Sequence, residues 1–566
     1  MKLINSVLAV VALMLFFLTP TASAIDAGDF LRDAQLPVLI DDDEADYITS
    51  VRPIPSSERT GPFFAVSKIA LQGVTKFPKN SLDFILREAI GESIAISDLQ
   101  SVAKFLDQYY LDHGFLAKTS IPEQDIVDGI ITLLVSESKL GKISINSPKE
   151  GLRFNDGYAK EILGVGQDDG ISITSLEKSV RVLTNMPGIE ARISLAPGVK
   201  KHHTDVNVNM KNTKLITGFA QVDNRGSQST GKNRIVSMLT GNGAFSMGDK
   251  VAGYLSKSKG SDIYQLNGSV PLGNVGDRAS ASLTRLDYKL VNNPSTPANG
   301  YSNSATVQYS TKEYLMPELH SVDSIELGYN KSVNYTSGVE SSNKTIDSIV
   351  LSSAGYVLDK DIYVLGGGST QYQLSTIFGN ADLSKNASDL LSDSTTKKVD
   401  GTFKKLNFSL DRNDPIGSGR VFKAQVKGQL GFDNLDSSQK MSLGGANGVR
   451  AYPIGEAPGD SALLLQAEVQ QLINKNMVFS VFADAGWVEL NNTLWSGWQS
   501  GNSTLENQYW IKGAGISING SIEKDMPFKA VWAHTIGGNS GRDSNGNNAD
   551  GYQDKQQLWL ELSSRF

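Results

Sequence analysis

Cysteine is absent from the chain, which excludes disulfides and thiolate chemistry. Histidine is scarce as well. The five that occur are scattered except for His202-His203, and no His, Asp and Glu grouping has metal-ligand spacing, so no metal centre is expected. His202-His203 follows Pro197-Gly198 and reads as a solvated turn. Cations are too few for a nucleic-acid partner: 53 lysines and arginines stand against 60 acids, and phosphate backbones demand a positive excess. Long apolar runs are missing beyond residue 18. A spanning helix needs about 20 such residues, so a mature chain that enters a membrane must do so as a closed barrel, the other arrangement that satisfies every backbone group. A hydrophobic content of 40% fits a soluble β protein or a barrel with a polar lumen equally well.

The chain does carry an amino-terminal export signal. Lys2 precedes the apolar run Val7–Leu18, a Pro20 breaker and Ala22-Ser23-Ala24, the three-part pattern of a secretory signal with cleavage expected after Ala24. Loss of residues 1–24 removes Lys2 alone and leaves 52 basic against 60 acidic side chains, a net charge of −8. Residues 25–63 then read as a linker: they hold Asp41-Asp42-Asp43-Glu44 and four of the 18 prolines. Within it Asp29-Phe30-Leu31-Arg32 is compatible with the start of a short helix, too brief to stand alone.

Residues 64–137 have the pattern of a small α+β module. Ile69 and Leu71 are strand-like, and Leu82, Ile85, Leu86 and Ile90 fall at helical spacing. Ser97-x-x-Gln100 is a capping box, followed by Leu99, Val102, Ala103, Leu106 and Tyr110 on one face. Strand-like Phe115–Ile121 and Ile130–Val135 flank an Asp128-Gly129 turn, giving the order β-α-α-β-β. Residues 138–210 repeat it: Lys142–Ile145, a weak helix at 155–163, a Thr174-x-x-Glu177 cap before Leu176, Val180 and Leu183, then alternating Ile189 to Leu195 and Val206 to Met210. Two tandem modules of roughly 70 residues are expected.

Beyond residue 211 helical periodicity disappears. Phe422, Ala424, Val426, Gly428, Leu430 and Phe432 alternate with Lys423, Gln425, Lys427, Gln429 and Gly431, one face suited to lipid and one to water. A soluble sandwich strand would alternate in the same way. Size favours the barrel: the region accommodates about 16 strands at roughly 22 residues per strand and loop. The fold expected is therefore mainly β, a 16-stranded transmembrane antiparallel barrel over 211–566 behind two small α+β domains. The chain ends inside its last strand, with Leu558, Leu560, Leu562, Ser564 and Phe566 on one face. Gly226-x-x-x-x-Gly231-Lys232 matches a phosphate-binding loop except that Asn233 replaces the Ser or Thr needed for Mg²⁺, and a strand rather than a helix follows. No nucleotide or other cofactor is expected, and no paired nucleophile and base suggests an enzyme.

Several segments together resemble the two-partner-secretion transporters of the haemolysin-activator and filamentous-haemagglutinin-transporter type. Val222-Asp223-Asn224-Arg225-Gly226-Ser227 with Thr230-Gly231 is similar to that family's first barrel strand and turn. Phe245-Ser246-Met247-Gly248-Asp249 and Pro271-Leu272-Gly273 are similar to its next landmarks. The modules resemble its paired polypeptide-transport-associated (POTRA) domains, and terminal Phe566 resembles the recognition signal of outer-membrane barrels. Gly444-Gly445-Ala446-Asn447-Gly448-Val449-Arg450-Ala451-Tyr452-Pro453 resembles the inward-folded sixth loop, here about 433–460, with Ala451 where Gly is usual, so a torsion reserved for Gly is not required. Phe482-Ala483-Asp484-Ala485-Gly486 resembles the late-strand motif whose Asp pairs with the loop arginine.

The resemblance implies a lumenal Arg450–Asp484 ion pair, with Val449, Ala451 and Tyr452 in the loop motif and Phe482 and Gly486 on the wall. A guanidinium inside a barrel needs a fixed acceptor, and a carboxylate offers a bidentate one; a solvated loop arginine would contribute almost nothing. It also implies an outer-membrane protein with periplasmic POTRA domains that captures an unfolded exoprotein, large and β-helical, and passes it through the barrel, the client's folding outside supplying the free energy. Outer-membrane lipid and, during biogenesis, the barrel assembly machinery are the further partners implied. An outer-membrane insertase and a passive porin are the alternatives; the first generally carries more POTRA modules, and the second needs neither the modules nor the loop motif.

Overall fold

The computed structural model describes residues 26–33 and 63–566, apart from short stretches at 79–80, 87–89, 114, 149–150, 165–172, 200–202, 246–247, 274–275, 293–294, 317–318, 360–367 and 500. The export signal and the linker's acidic and proline-rich part lie outside the described residues. The helix expected near Asp29 is present as α1 (Ala27–Asp33). It starts two residues earlier because Asp26 caps it: the Asp26 carboxylate accepts Gly28 N–H at 2.8 Å and Asp29 reaches back to Asp26 N–H at 3.3 Å, a reciprocal cap that satisfies otherwise orphaned donors.

The first module contains β1 (Phe63–Val66), β2 (Lys68–Gln72), α2 (Asp83–Leu86), β3 (Gly91–Ala95), α3 (Ile96–Asp112), β4 (Leu116–Ser120) and β5 (Ile130–Asn146). Strands β1 and β3 form a small sheet that the sequence pattern missed. Leu82, Ile85 and Leu86 are buried as expected, but Ile90 lies outside the helix and is exposed, because the chain turns into β3 at Gly91. The long helix also begins before Ser97: Asp98 takes the N–H of Ala95 at 2.9 Å, so the expected Ser97 cap is replaced by one placed earlier. Its five predicted core residues are all buried. Asp128 and Gly129 both adopt positive φ, 55° and 70°, the mirror-image turn that Asp-Gly favours.

A half-buried acid ties this module together. Glu137 accepts from Thr75 N, Lys76 N and the Tyr110 hydroxyl at 2.7, 2.9 and 2.8 Å, and from the Thr75 hydroxyl. Burial pushes the Glu137 carboxyl up, but these hydrogen bonds outweigh it and hold it below the usual carboxylate range. Burial, and then Glu137 itself, push the Tyr110 phenol up.

The second module shares β5 with the first and adds α4 (Asp156–Ile162), α5 (Ile173–Thr184), β6 (Ile189–Pro197) and β7 (His203–Asn212). The boundary expected between 137 and 138 therefore falls inside one continuous strand. Residues 130–134 of β5 pair with β2 and residues 139–146 with β7, with a register shift between Leu140 and Ile143 at Gly141-Lys142. That shift bends the strand without breaking it. His203 opens β7 rather than lying in a turn, and His202 lies outside the described residues. Phe154 and Met186 of this module pack against Gly248 at the barrel rim that faces the modules, and the Tyr158 hydroxyl donates to Gly273 O.

Sixteen antiparallel strands then close a barrel. The first eight are β8 (Ile216–Asp223), β9 (Arg234–Asn242), β10 (Lys250–Lys257), β11 (Ser261–Leu272), β12 (Asp277–Lys289), β13 (Ala298–Met316), β14 (Leu319–Thr336) and β15 (Val339–Asp359). The other eight are β16 (Gly368–Asp382), β17 (Gly401–Gly417), β18 (Arg420–Gly431), β19 (Ser461–Asn474), β20 (Met477–Glu489), β21 (Gln508–Ser521), β22 (Pro527–Thr535) and β23 (Gln556–Arg565). Alternation decides their faces. On β18 Leu430 is exposed outward while Gln429 is buried inward, and Leu266, Leu283, Leu327 and Ile349 form part of an exposed apolar band. Such a band is a liability in water and natural in lipid. The ring closes where Glu561–Arg565 pair with Phe219–Asp223 and Phe566 exchanges backbone hydrogen bonds with Gly218, so no edge strand remains unpaired.

Candidate functional site

Between β18 and β19 the chain folds into the lumen. Close approaches demand glycine there: a Cβ on Gly448 would stand 2.1 Å from Leu443 O. The turn is held by Val449 N–H to Leu443 O at 2.7 Å and Tyr452 N–H to Val449 O at 3.0 Å. Leu443, Val449, Ala451 and Tyr452 are buried in one cluster with wall residues that include Leu464, Phe482, Ile511 and Trp559. The wall makes room with its own glycines: a Cβ on Gly486 would meet Leu443 at 2.9 Å and Val449 at 3.0 Å, and one on Gly513 would meet the Ala451 Cβ at 2.5 Å. Ala451 has no positive φ, which is why alanine is accommodated where the family pattern has glycine.

Arg450 crosses to the wall and finds more than the one partner expected. Its Nε and Nη2 donate to Asp484 at 2.9 and 2.8 Å, and its backbone N–H reaches the same carboxylate at 3.0 Å. Nη1 donates to Glu468 at 2.7 Å. The guanidinium lies 3.3 Å from the centre of the Phe482 ring, and Arg450 O accepts from Trp559 Nε1 at 2.8 Å. One cation thus serves two acids and an aromatic face, all from β19 and β20, a geometry that only a planar multi-donor head can satisfy.

Two further anchors fasten the ends of the loop. Lys440 pairs with Asp460 at 2.9 Å, and that carboxylate also accepts Leu435 N and Asn492 N at 3.1 and 2.8 Å. Glu456 accepts Asn539 Nδ2 and Ala549 N, both at 2.7 Å, tying the lumenal loop to the connection between β22 and β23 at the rim away from the modules.

Helix α1 lies in the lumen as well. Phe30 packs on Tyr288 of β12 with ring centres 4.7 Å apart, Ala27 N–H donates to Asn334 of β14 at 2.9 Å, and Arg32 donates to Ser437 O of the loop. Gly28 sits so close to the loop that a Cβ there would be 2.4 Å from the Ser438 Cβ. Helix and loop together fill space that an open channel would leave to water.

The residues singled out from the sequence therefore converge, with Val449, Arg450, Ala451, Tyr452, Phe482, Asp484 and Gly486 in one contact set; Phe566 stands apart at the barrel seam. Sequence reasoning missed Glu468, Trp559 and the acids and lysines around α1. Glu468 had a signal, since Gln466, Glu468 and Gln470 alternate with Leu465, Ala467 and Val469 and so face the lumen; Trp559 follows the same rule on β23. The Gly226–Lys232 segment is the turn between β8 and β9, closed by Gly226 N–H to Lys232 O at 2.7 Å.

Comparison with known proteins gives the same picture. The sequence profile of the haemolysin secretion/activation proteins ShlB/FhaC/HecB matches residues 202–504, more than half of the chain, and that of the ShlB-type POTRA domain matches residues 64–138. The heme/hemopexin transporter protein HuxB of Haemophilus influenzae (strain 86-028NP) is 23% identical over 507 residues, covering 86% of this chain and 84% of that protein. The outer membrane transporter CdiB of Dickeya dadantii is 21% identical over 442 residues, covering 75% and 76%. Among solved structures, CdiB from Escherichia coli superimposes with a TM-score of 0.63 at 16% identity, covering 96% of this chain and all of that one. BamA from Haemophilus ducreyi lacking POTRA domains 1-3 gives 0.53 at 15% identity, covering 89% and 100%, a likeness of fold alone.

Proposed function

The chain belongs to the haemolysin secretion/activation family ShlB/FhaC/HecB, an outer-membrane two-partner-secretion transporter with periplasmic POTRA domains, and from that premise we propose how its parts divide the work. The two modules capture a large β-helical exoprotein while it is still unfolded, by adding an extended client segment to an exposed strand edge, which needs backbone hydrogen bonds and little side-chain complementarity. The client then passes through the lumen once α1 has left it and the loop has shifted. The Arg450–Asp484–Glu468 set holds the loop in its seat and defines the closed state. Folding of the client outside drives export, with no catalytic step and no nucleotide. Biogenesis runs through the barrel assembly machinery, and Phe566 is the signal it reads.

The observation that carries this reading is the occupied lumen: a barrel wide enough for a passage holds an anchored loop and a separate short helix, both built from this chain. A passive porin has no use for either. The insertase alternative is not favoured, because the matching profile is that of the secretion proteins. Identity of about 23% to the heme/hemopexin transporter supports the transport mode and not its cargo. The test is to co-express the transporter with the exoprotein encoded beside it and delete residues 64–210. Secretion should cease while a heat-modifiable barrel remains; secretion at the normal level would refute the receptor role of the modules.

A further inference from the structure

One lumenal lysine touches both elements that occupy the pore. Lys344, on β15 near the extracellular end, is almost fully buried. Its Nζ lies 2.6 Å from Asp436 of the lumenal loop and also contacts Asp26 at the head of α1. The remaining groups at this junction are committed elsewhere. Arg32 pairs with Asp29 and Asp33 of its own helix at 3.4 and 2.8 Å. Asn334 accepts from Ala27 N and from the Tyr288 hydroxyl at 2.9 and 3.1 Å. Asp436 also accepts from Ser438 N and Oγ at 3.0 and 2.6 Å, so it orders the loop turn against which Gly28 is pressed.

From this we propose that Lys344 is a positioning residue that divides one positive charge between the N-terminal helix and the lumenal loop, and thereby sets how readily the helix leaves the pore. The inference rests on the reading that α1 must vacate the lumen before a client passes. An exclusive ion pair between helix and wall would strand an uncompensated buried charge whenever the helix left, which is strongly unfavourable. Sharing removes that obstacle. When α1 departs with Asp26, Lys344 keeps Asp436, and the wall is left with a one-to-one pair. While α1 is seated, Asp436 competes for the same ammonium and weakens its hold on Asp26.

This arrangement predicts opposite effects from two nearly isosteric changes. Asp436→Asn keeps an oxygen for Ser438 but leaves Lys344 wholly to Asp26, so the helix is held more tightly. Asp26→Asn keeps the helix cap, since Asn is as good an N-cap as Asp, but releases the lysine. Lys344→Met leaves two carboxylates facing each other and expels the helix. A purely structural role for these residues would move all three variants in the same direction.

The experiment is single-channel recording of the purified full-length mature transporter in planar bilayers, each variant normalised to heat-modifiable barrel. The open fraction should rise about tenfold in Asp26→Asn and fall about tenfold in Asp436→Asn, a factor that corresponds to ~1.4 kcal/mol. It should rise further in Lys344→Met. Deletion of residues 26–33 separates the two layers of the argument. If the deletion leaves the open fraction unchanged, the helix does not obstruct the pore and the underlying reading fails. If the deletion opens the pore but Asp26→Asn and Asp436→Asn shift in the same direction, or not at all, the shared lysine is overturned while that reading stands. Asp26 belongs to no barrel strand, so its variant stays informative even if Lys344→Met fails to assemble.

Discussion

Replacing Arg450 by alanine should unseat the lumenal loop, and the geometry indicates by how much. The change leaves buried Asp484 and half-buried Glu468 with no cation between them, and breaking a buried pair from one side costs about 3–5 kcal/mol. It also removes the stack on Phe482. Asp484→Asn is milder, because Arg450 keeps Glu468 at 2.7 Å; its loss is that of charge-assisted hydrogen bonds, about 1.5–3 kcal/mol. In the double variant the Asp484 charge that Arg450→Ala had stranded is gone. The combined loss should therefore fall short of the sum by about 0.5–3 kcal/mol, the range for residues in contact. Arg450→Lys should rescue only in part, since it keeps the charge and loses the planar fork. Because the chain has no cysteine, an Ala446→Cys background reports the seat directly: labelling by an impermeant maleimide measures the fraction of released loop, scored beside secreted client per folded barrel. Strictly additive losses, or an Arg450→Ala protein with a protected loop and normal secretion, would refute the assignment.

Three other contacts lead to further expected outcomes. Gly513→Ala places a methyl group 2.5 Å from the Ala451 Cβ and should weaken loop seating by about 1–3 kcal/mol, as overpacking does; adding Ala451→Gly should restore protection of the loop, and no recovery in the maleimide assay would mean the contact is not limiting. Removing Phe566 deletes its backbone exchange with Gly218 at the closing seam and should lower the amount of heat-modifiable barrel in the outer membrane; unchanged amounts would make the terminal residue incidental. Glu137 is held below its usual range by its donors, so its contribution to the first module is present above the ordinary carboxylate range and is lost as pH falls through its depressed value. Limited proteolysis should find that module more sensitive near pH 3 than at pH 7, and Glu137→Gln should flatten the difference.

Much of the fold was legible because it rests on periodicities that a linear chain displays. Alternation of period two over residues 421–432 and 558–566 named the two faces of barrel strands, and helical spacing from Leu99 to Tyr110 named a buried helix face before any neighbour was known. Arg450 and Asp484 were legible only through resemblance to known motifs, since 34 residues separate them and no local pattern ties a loop arginine to a strand acid. Local reading failed where the chain changes direction under tertiary demand, at Ile90, which leaves the helix to enter β3.

By itself, then, the sequence determined which segments are strands or helices and which face of each prefers lipid, water or a core, because backbone sterics and side-chain hydrophobicity act over a few residues. Closure of the ring determined the rest. Only when β23 meets β8 do residues far apart in the chain share one enclosed space, and only there does a lysine on β15 lie between an aspartate of the amino-terminal helix and an aspartate of the lumenal loop. Buried charge is costly unless paired, so the partners of Arg450 and Lys344 follow from which groups the enclosure brings within reach, a matter of three-dimensional proximity that no one-dimensional pattern encodes.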